Sequence, residues 1–254
     1  MHNSFNQYLE FIHKALNEIE TTQLEKIDEI CKIFAECIAN DGVIHMYGSG
    51  HSRMAVEEMF PRYGSYPGFQ PIVELSTTFY QQVVGTNGIR QSMFIENVEG
   101  LAQNILKSIN IKPNDCFLLY TTSGTGNVVI DMAIEAKKRG HKVIGVTSFA
   151  NCEVGISKHS TGKKLNDVAD ILLDNCAPIG DAVVHFDSSK FPVGPASTFG
   201  NTLLVNLMKV RTAELLNEMG KLPPVITHAH YIGKEESTKT FDDVLAEFER
   251  RQKR

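Results

Sequence analysis

The stretch Cys116-Phe117-Leu118-Leu119-Tyr120, then Thr121-Thr122-Ser123-Gly124-Thr125-Gly126-Asn127, then Val128 to Arg139, decides the fold. An apolar run without alternation reads as a strand buried on both faces. A loop rich in hydroxyls and glycine follows it directly. The next segment carries helical periodicity and stops at Gly140, a residue suited to a helix C-cap. Strand, polar loop and helix in that order form one unit of a parallel α/β sheet.

The same unit recurs upstream. Val43-Ile44-His45-Met46-Tyr47 is a short apolar run, Gly48-Ser49-Gly50-His51-Ser52 is its loop, and Arg53 to Tyr63 is read as a helix stopped near Pro61. Further strands are expected at Pro71–Leu75, Lys142–Thr147 and Asp170–Asp174, with a short one at Ala182–Phe186. Phe79 to Gln91, with Gly85, Asn87 and Gly88, reads as loop. Val98–Ile109 and Thr198–Met219 read as helices. The pattern predicts an α/β fold with three layers, a parallel sheet covered by helices on both faces; a doubly wound sheet of the flavodoxin-like order 2-1-3-4-5 fits these strands. Before it, Leu9, Ile12, Leu16, Ile19, then Leu24, Ile27, Ile30, Phe34 and Ile38 recur at helical spacing, with Thr21-Thr22 as a break. The expected organisation is a helical arm over 1–40, one domain over 41–225 and a C-terminal tail with a short helix over 226–254.

The two loops carry the chemistry. Gly48 and Gly50 let the backbone turn sharply and approach a ligand. Backbone N–H groups at a following helix start favour an anion, and Ser49 and Ser52 add hydroxyls. The third Gly of a dinucleotide fingerprint is missing; Met54 stands there. The second loop offers Thr121, Thr122, Ser123 and Thr125, with Gly124, Gly126 and Asn127, and has no lysine, so it is not a P-loop. A helix cap explains one hydroxyl, not four. In the expected strand order, the ligand crevice lies between the first and third strands, which carry these loops.

Bulk properties bound the function. The formal charge of -5 and a pI near 6.0 argue against a nucleic-acid surface. The basic run Arg250-Arg251-Gln252-Lys253-Arg254 is short and reads as a solvated tail. No apolar run approaches the roughly 20 residues of a membrane span, and the N-terminus lacks the layout of a signal peptide. The five cysteines, Cys31, Cys37, Cys116, Cys152 and Cys176, are odd in number and show no C-x-x-C spacing. They read as reduced core residues, which with the other features predicts a cytoplasmic protein.

Tyr47-Gly48-Ser49-Gly50-His51-Ser52 and Tyr120 to Asn127, followed by Ala133 to Ser148, resemble the sugar isomerase (SIS) domain over about residues 40–215. The helical arm and Gly194-Pro195-Ala196-Ser197-Thr198 look like a separate branch of that family, related to phosphoheptose isomerase-like and N-acetylmuramic acid 6-phosphate etherase-like proteins. The resemblance implies a five-stranded parallel sheet, a phosphosugar ligand, and a dimer or tetramer with the site near a subunit interface. It implies that Ser52 and Ser123 hold the phosphate. No cofactor is expected. One departure stands out: the family usually has Ser or Thr where this chain has Gly126, and Thr125 is the available substitute.

Aldose–ketose isomerisation and phosphosugar elimination both begin with proton abstraction beside a carbonyl, which needs a base near neutral pH. Glu57 and Glu58, one to two turns past the first loop, are candidates, as is Glu99 at the opening of the helix at Val98. Each also reads as an ordinary exposed helix charge. His51, inside the first loop, either serves the ligand or faces solvent. His185 lies in an apolar stretch and reads as structural. His228 and His230 are spaced for a metal but lack a third ligand, so no metal is expected. Ser197 or Thr198 is the expected cap of the long helix, and Asn201 and Asn206 read as packing or solvent groups. The leading expectation is an enzyme acting on a hexose or amino-sugar phosphate. A non-catalytic phosphosugar sensor is the alternative. A nucleotide binder, with Glu74 as its ribose acid, is the third reading.

Overall fold

A computed structural model describes residues 3–78 and 88–253. Five strands form one all-parallel sheet: β1 (Ile44–Gly48), β2 (Phe69–Pro71), β3 (Cys116–Tyr120), β4 (Val143–Thr147) and β5 (Ile171–Asp174), in the spatial order β2-β1-β3-β4-β5. Every residue of β1, β3 and β4 is buried, as their unbroken apolar runs require.

Successive side chains of a strand point to opposite faces, so each strand feeds two cores. Ile44, Met46, Cys116, Leu118 and Tyr120 join one core. Its other wall is α2 (Leu24–Ala39), α3 (Arg53–Met59) and α9 (Ser197–Glu218), through residues such as Ile30, Phe34, Met59 and Met208. Tyr47, Phe117 and Leu119 join the other, against α6 (Leu101–Lys107) and α7 (Asn127–Lys138), through Leu106, Val129 and Met132.

The break at Thr21-Thr22 is real: α1 (Asn3–Thr22) ends there, and Gln23 separates it from α2. Gln23 is buried, accepting from Asp174 N and donating to Asp174 O, which ties the bend to the end of β5. α1 buries only Ala15 and Ile19, whereas α2 lies within the main core.

Several expected elements shift, each for a local reason. β2 runs over Phe69–Pro71, not Pro71–Leu75, because the Glu74 carboxylate accepts from Ser76 N and Oγ and turns the chain into α4 (Leu75–Thr78). Pro71 is tolerated at an edge strand. Of the loop expected over Phe79–Gln91, residues 79–87 lie outside the described residues, and Gly88 already opens α5 (Gly88–Ile95). The helix expected from Val98 starts at Leu101, because Gly100 takes a φ of 89° and its N–H goes to Asp131. The helix after the first loop ends at Met59, earlier than Tyr63. Ala182–Phe186 forms no strand; Val184 makes one isolated antiparallel bridge with Val193.

The start of α9 is capped from a distance. Neither Ser197 nor Thr198 caps it; the N-cap position is Ala196. The Asp181 carboxylate accepts from Ala196 N, Ser197 N and Ser197 Oγ, satisfying donors that a helix start leaves open. Of the basic C-terminal run, residues 250–253 are described and end α10 (Lys234–Lys253), a helix of 20 residues, not a short one; Arg250 and Lys253 are exposed, but Arg251 is not solvated. Buried Arg251 donates to Glu247 and to the carbonyls of Ile38 and Gly42. Among the described residues all five cysteines are free, four of them buried, and no helix is long and apolar enough to cross a membrane.

Candidate active site at the ends of β1 and β3

β1 and β3 are neighbours, and Gly48 lies in register with Tyr120. The two loops therefore leave the sheet side by side at its carboxyl edge, where an open α/β sheet receives ligands. Each glycine has a specific task. A Cβ on Gly48 would sit 2.9 Å from the Ser52 backbone, so the turn folds directly over that position. Gly124 has a φ of 71°, and a Cβ there would lie 2.7 Å from Cys152 Sγ of α8 (Phe149–Val154).

The loops differ in what their hydroxyls do. In the first, residues Gly50–Ser52 close a short 3-10 turn, and Ser52 N donates to Ser49 O. Ser49 Oγ donates to Glu96 Oε2 at 2.7 Å. In the second, the Ser123 and Thr125 hydroxyls lie 2.9 Å apart on the surface, and Thr125 N donates to Ser123 Oγ. Gly126 holds the N-cap position of α7 with no side-chain cap, and Thr125 supplies the hydroxyl beside Ser123. Thr121 is buried and continues the ladder to Val146 O, while Thr122 O accepts from Ser148 N. Asn127 is buried too, and its Nδ2 donates to Asn97 O.

Glu96 is the residue that sequence reasoning missed. It follows α5 in a turn, and burial pushes its carboxyl above the ordinary carboxylate range, opposed by the Ser49 hydrogen bond. Its own carbonyl accepts from Val128 N at the start of α7. Glu96 is thus bonded to the first loop through its side chain and to the helix after the second loop through its backbone. The available sign was an acid isolated after the apolar Met93-Phe94-Ile95 run.

The expected acids sit elsewhere or are already paired. Glu57 is half exposed and meets Arg53 at 3.3 Å. Glu58 meets Arg62 at 2.6 Å and Lys209 of α9 at 3.8 Å. Glu99 accepts from Ser160 N and Oγ, which hold its carboxyl below the usual range. His51 is exposed on the first loop. Arg53, the cation next to that loop, donates to the Thr78 carbonyl as well as to Glu57. Glu74 is engaged in its own turn with Ser76. His185 is exposed, its N–H bound by Gln7. Asn201 is buried and accepts from Asn175 Nδ2, and Asn206 donates to Thr202 O one turn back.

Two groups outside the crevice have ligand-type atoms. The His228 and His230 rings meet edge to face with centroids 4.4 Å apart, and His228 Nδ1 accepts from His230 N. Glu18, Asp174 and Cys176 bring ligand atoms within 4.8 Å of one another near the end of β5. There Asp174 already accepts from Phe149 N and Cys176 N, and burial, with the nearby Asp174 and Glu18 charges, pushes the Cys176 thiol up to about 12.

Comparison with known proteins gives a consistent family. The model of the SIS domain matches residues 7–148. A UPF0309 protein of Caldanaerobacter subterraneus subsp. tengcongensis is 34% identical over 232 residues, covering 90% of this chain and 92% of that protein. A UPF0309 protein of Listeria monocytogenes is 32% identical over 242 residues, covering 94% and 97%. Among solved structures, a phosphoheptose isomerase from Francisella tularensis superposes with a TM-score of 0.54 at 18% identity, over 83% of this chain and 96% of that one. Another from Neisseria gonorrhoeae gives 0.51 at 17% identity, over 80% and 93%. At these identities the structures establish a shared fold.

Proposed function

Because this chain belongs to the SIS domain family, we propose that it binds a hexose or amino-sugar phosphate in the crevice between β1 and β3. There it moves a proton next to the sugar carbonyl, in an isomerisation or an elimination. The observation that carries the reading is a half-buried carboxyl, Glu96, hydrogen-bonded through its side chain to the first loop and through its backbone to the helix that follows the hydroxyl shelf of Ser123 and Thr125. A carboxyl held above its ordinary range is a better match to proton transfer near neutral pH than an exposed one. Glu57 and Glu58 are paired with cations and the Glu99 carboxyl is held below its usual range, whereas burial holds the Glu96 carboxyl above it, which favours Glu96 as the base.

In this reading the phosphate rests on Ser123 and Thr125, with Ser52 and the loop glycines Gly48, Gly50 and Gly124 shaping its seat. Thr121, Thr122 and Asn127 shape the shelf from behind. Ser49 orients Glu96, which takes the proton. His51, exposed on the first loop, is assigned its return. The protein works as a homo-oligomer in the cytoplasm, with no cofactor.

Thermal shift tests binding. Hexose and amino-sugar phosphates are compared with the same sugars lacking phosphate. A ligand that binds only the folded chain at a hundredfold excess over Kd stabilises it by about 2.7 kcal/mol. The expected result is a raised midpoint that requires the phosphate. No shift with any member of the panel, or equal shifts without phosphate, contradicts the proposal. Deuterium incorporation from heavy water into a bound sugar phosphate then tests proton transfer; binding without incorporation makes the protein a phosphosugar sensor.

A further inference from the structure

A helix start leaves backbone donors without intrahelical partners, and one of those of α7 reaches the segment before α6. Val128 N donates to Glu96 O at 3.0 Å. Asn127 Nδ2 donates to Asn97 O at 3.0 Å. One turn on, Asp131 Oδ2 accepts from Gly100 N at 2.8 Å. Residues 127–131, the first turn of α7 and the start of the next, therefore grip the 96–100 segment at three points.

Asp131 is the anchor of this grip. It is 5% exposed, and its second oxygen accepts from Gln103 Nε2 at 3.2 Å and faces His159 Nε2 at 3.1 Å. The partners fix the histidine tautomer. His159 Nδ1 accepts from Thr161 N, so in the neutral ring the proton sits on Nε2 and is donated to Asp131. His159 is itself buried, and the carboxylate is ringed by three donors. A buried carboxylate is tolerated when its acceptor sites are filled in this way. Gly100 can accept the grip because its left-handed φ of 89° directs the chain into α6 at that point.

We infer that Asp131, supported by Asn127 and His159, is a positioning residue: it fixes the 96–100 segment so that the Glu96 carboxyl stays against Ser49 at the crevice. The inference rests on the reading of Glu96 as the proton-transfer group. It adds that one helical turn does two jobs. The turn that follows the hydroxyl shelf also aims the base, so the phosphate seat and the base keep a fixed relation through a rigid element rather than through a loop. Misplacement of a reacting group by about 1 Å can lower a rate roughly 100-fold.

The test combines a readout that needs no substrate with one that does. In protein labelled with 13C at glutamate carboxyls, the Glu96 resonance is assigned by its loss in Glu96→Gln and titrated with pH. In Asp131→Asn its midpoint is expected to fall toward that of an exposed glutamate, because the segment loosens and water reaches the carboxyl. The kcat for deuterium incorporation is expected to fall 10- to 100-fold, with KM for the sugar phosphate changed less than twofold. Asn127→Ala, which removes only the amide holding Asn97, is expected to move both readouts the same way and stands in if Asp131→Asn fails to fold. A folded variant with an unchanged Glu96 titration and unchanged kcat overturns the inference, as does a loss confined to KM. If the wild-type protein incorporates no deuterium into any sugar phosphate, the catalytic reading fails while the carboxyl titration still decides the positioning role.

Discussion

The two crevice loops carry the same kinds of residues, yet they are built for different work. In Gly48–Ser52 the turn is closed by its own backbone, and Ser49 is committed to a carboxylate. In Thr121–Asn127 the hydroxyls of Ser123 and Thr125 turn outward and lie against each other. Hydroxyls that already serve an internal acid are poor phosphate ligands, since a new bond must displace an existing one. Two surface hydroxyls bonded to each other use one donor between them and leave the other for a ligand. In the proposed reading the first loop holds the base and the second holds the phosphate, a division of labour that a shared composition conceals.

The largest effect that can break this comparison is on turnover. Glu96→Gln is expected to lower deuterium incorporation into a bound sugar phosphate by about 100-fold or more, with phosphate-dependent binding retained. Glu57→Gln, on a side chain half exposed and paired with Arg53, is expected to change it less than about threefold. The reverse ranking, measured in the same heavy-water assay, would return the base to the helix after the first loop.

A smaller effect sharpens the comparison at the level of affinity. Ser123→Ala is expected to weaken sugar-phosphate binding about tenfold in calorimetry, the scale of one hydrogen bond to a charged group at about 1.5 kcal/mol. Ser49→Ala is expected to leave affinity nearly unchanged and to move the pH profile of turnover to higher pH, because the Ser49 hydrogen bond lowers the Glu96 pKa. Equal losses of affinity in the two variants would erase the distinction between the loops.

The smallest effect is on stability. A carboxyl whose folded-state pKa lies above its unfolded value holds its proton more tightly in the folded chain. Its stabilising contribution is full below the unfolded value, about 4.3 for glutamate, and is lost as pH rises through the folded value. Glu96→Gln is therefore expected to melt higher than wild type at pH 8, with the gap closing toward pH 4. A gap of the same size at both pH values would mean that Glu96 burial carries no such cost.

Much of this architecture is legible in the sequence because it rests on short-range rules. Apolar runs at Ile44–Gly48, Cys116–Tyr120 and Val143–Thr147 are buried on both faces and have no other use. The strand order brings the two loops together as expected, through the pairing of Gly48 with Tyr120. What escapes the sequence is set by contacts between distant segments. Asp181 caps a helix that begins 16 residues later, and Arg251 anchors the last helix on carbonyls more than 200 positions earlier. Glu96 belongs to the same class. Its neighbours in the chain give no sign that Ser49 and Val128 will enclose it, whereas Glu57 and Glu58 look well placed by proximity and turn out to be held by Arg53, Arg62 and Lys209. Sequence distance located the loops but not the acid between them.

The most direct measurement is a crystal structure of the protein soaked with a sugar phosphate that raises its melting temperature. The phosphate is expected within hydrogen-bonding distance of Ser123 and Thr125, with the sugar carbons extending toward the Glu96 carboxyl. A phosphate bound away from the second loop, or a sugar directed away from Glu96, would contradict the account.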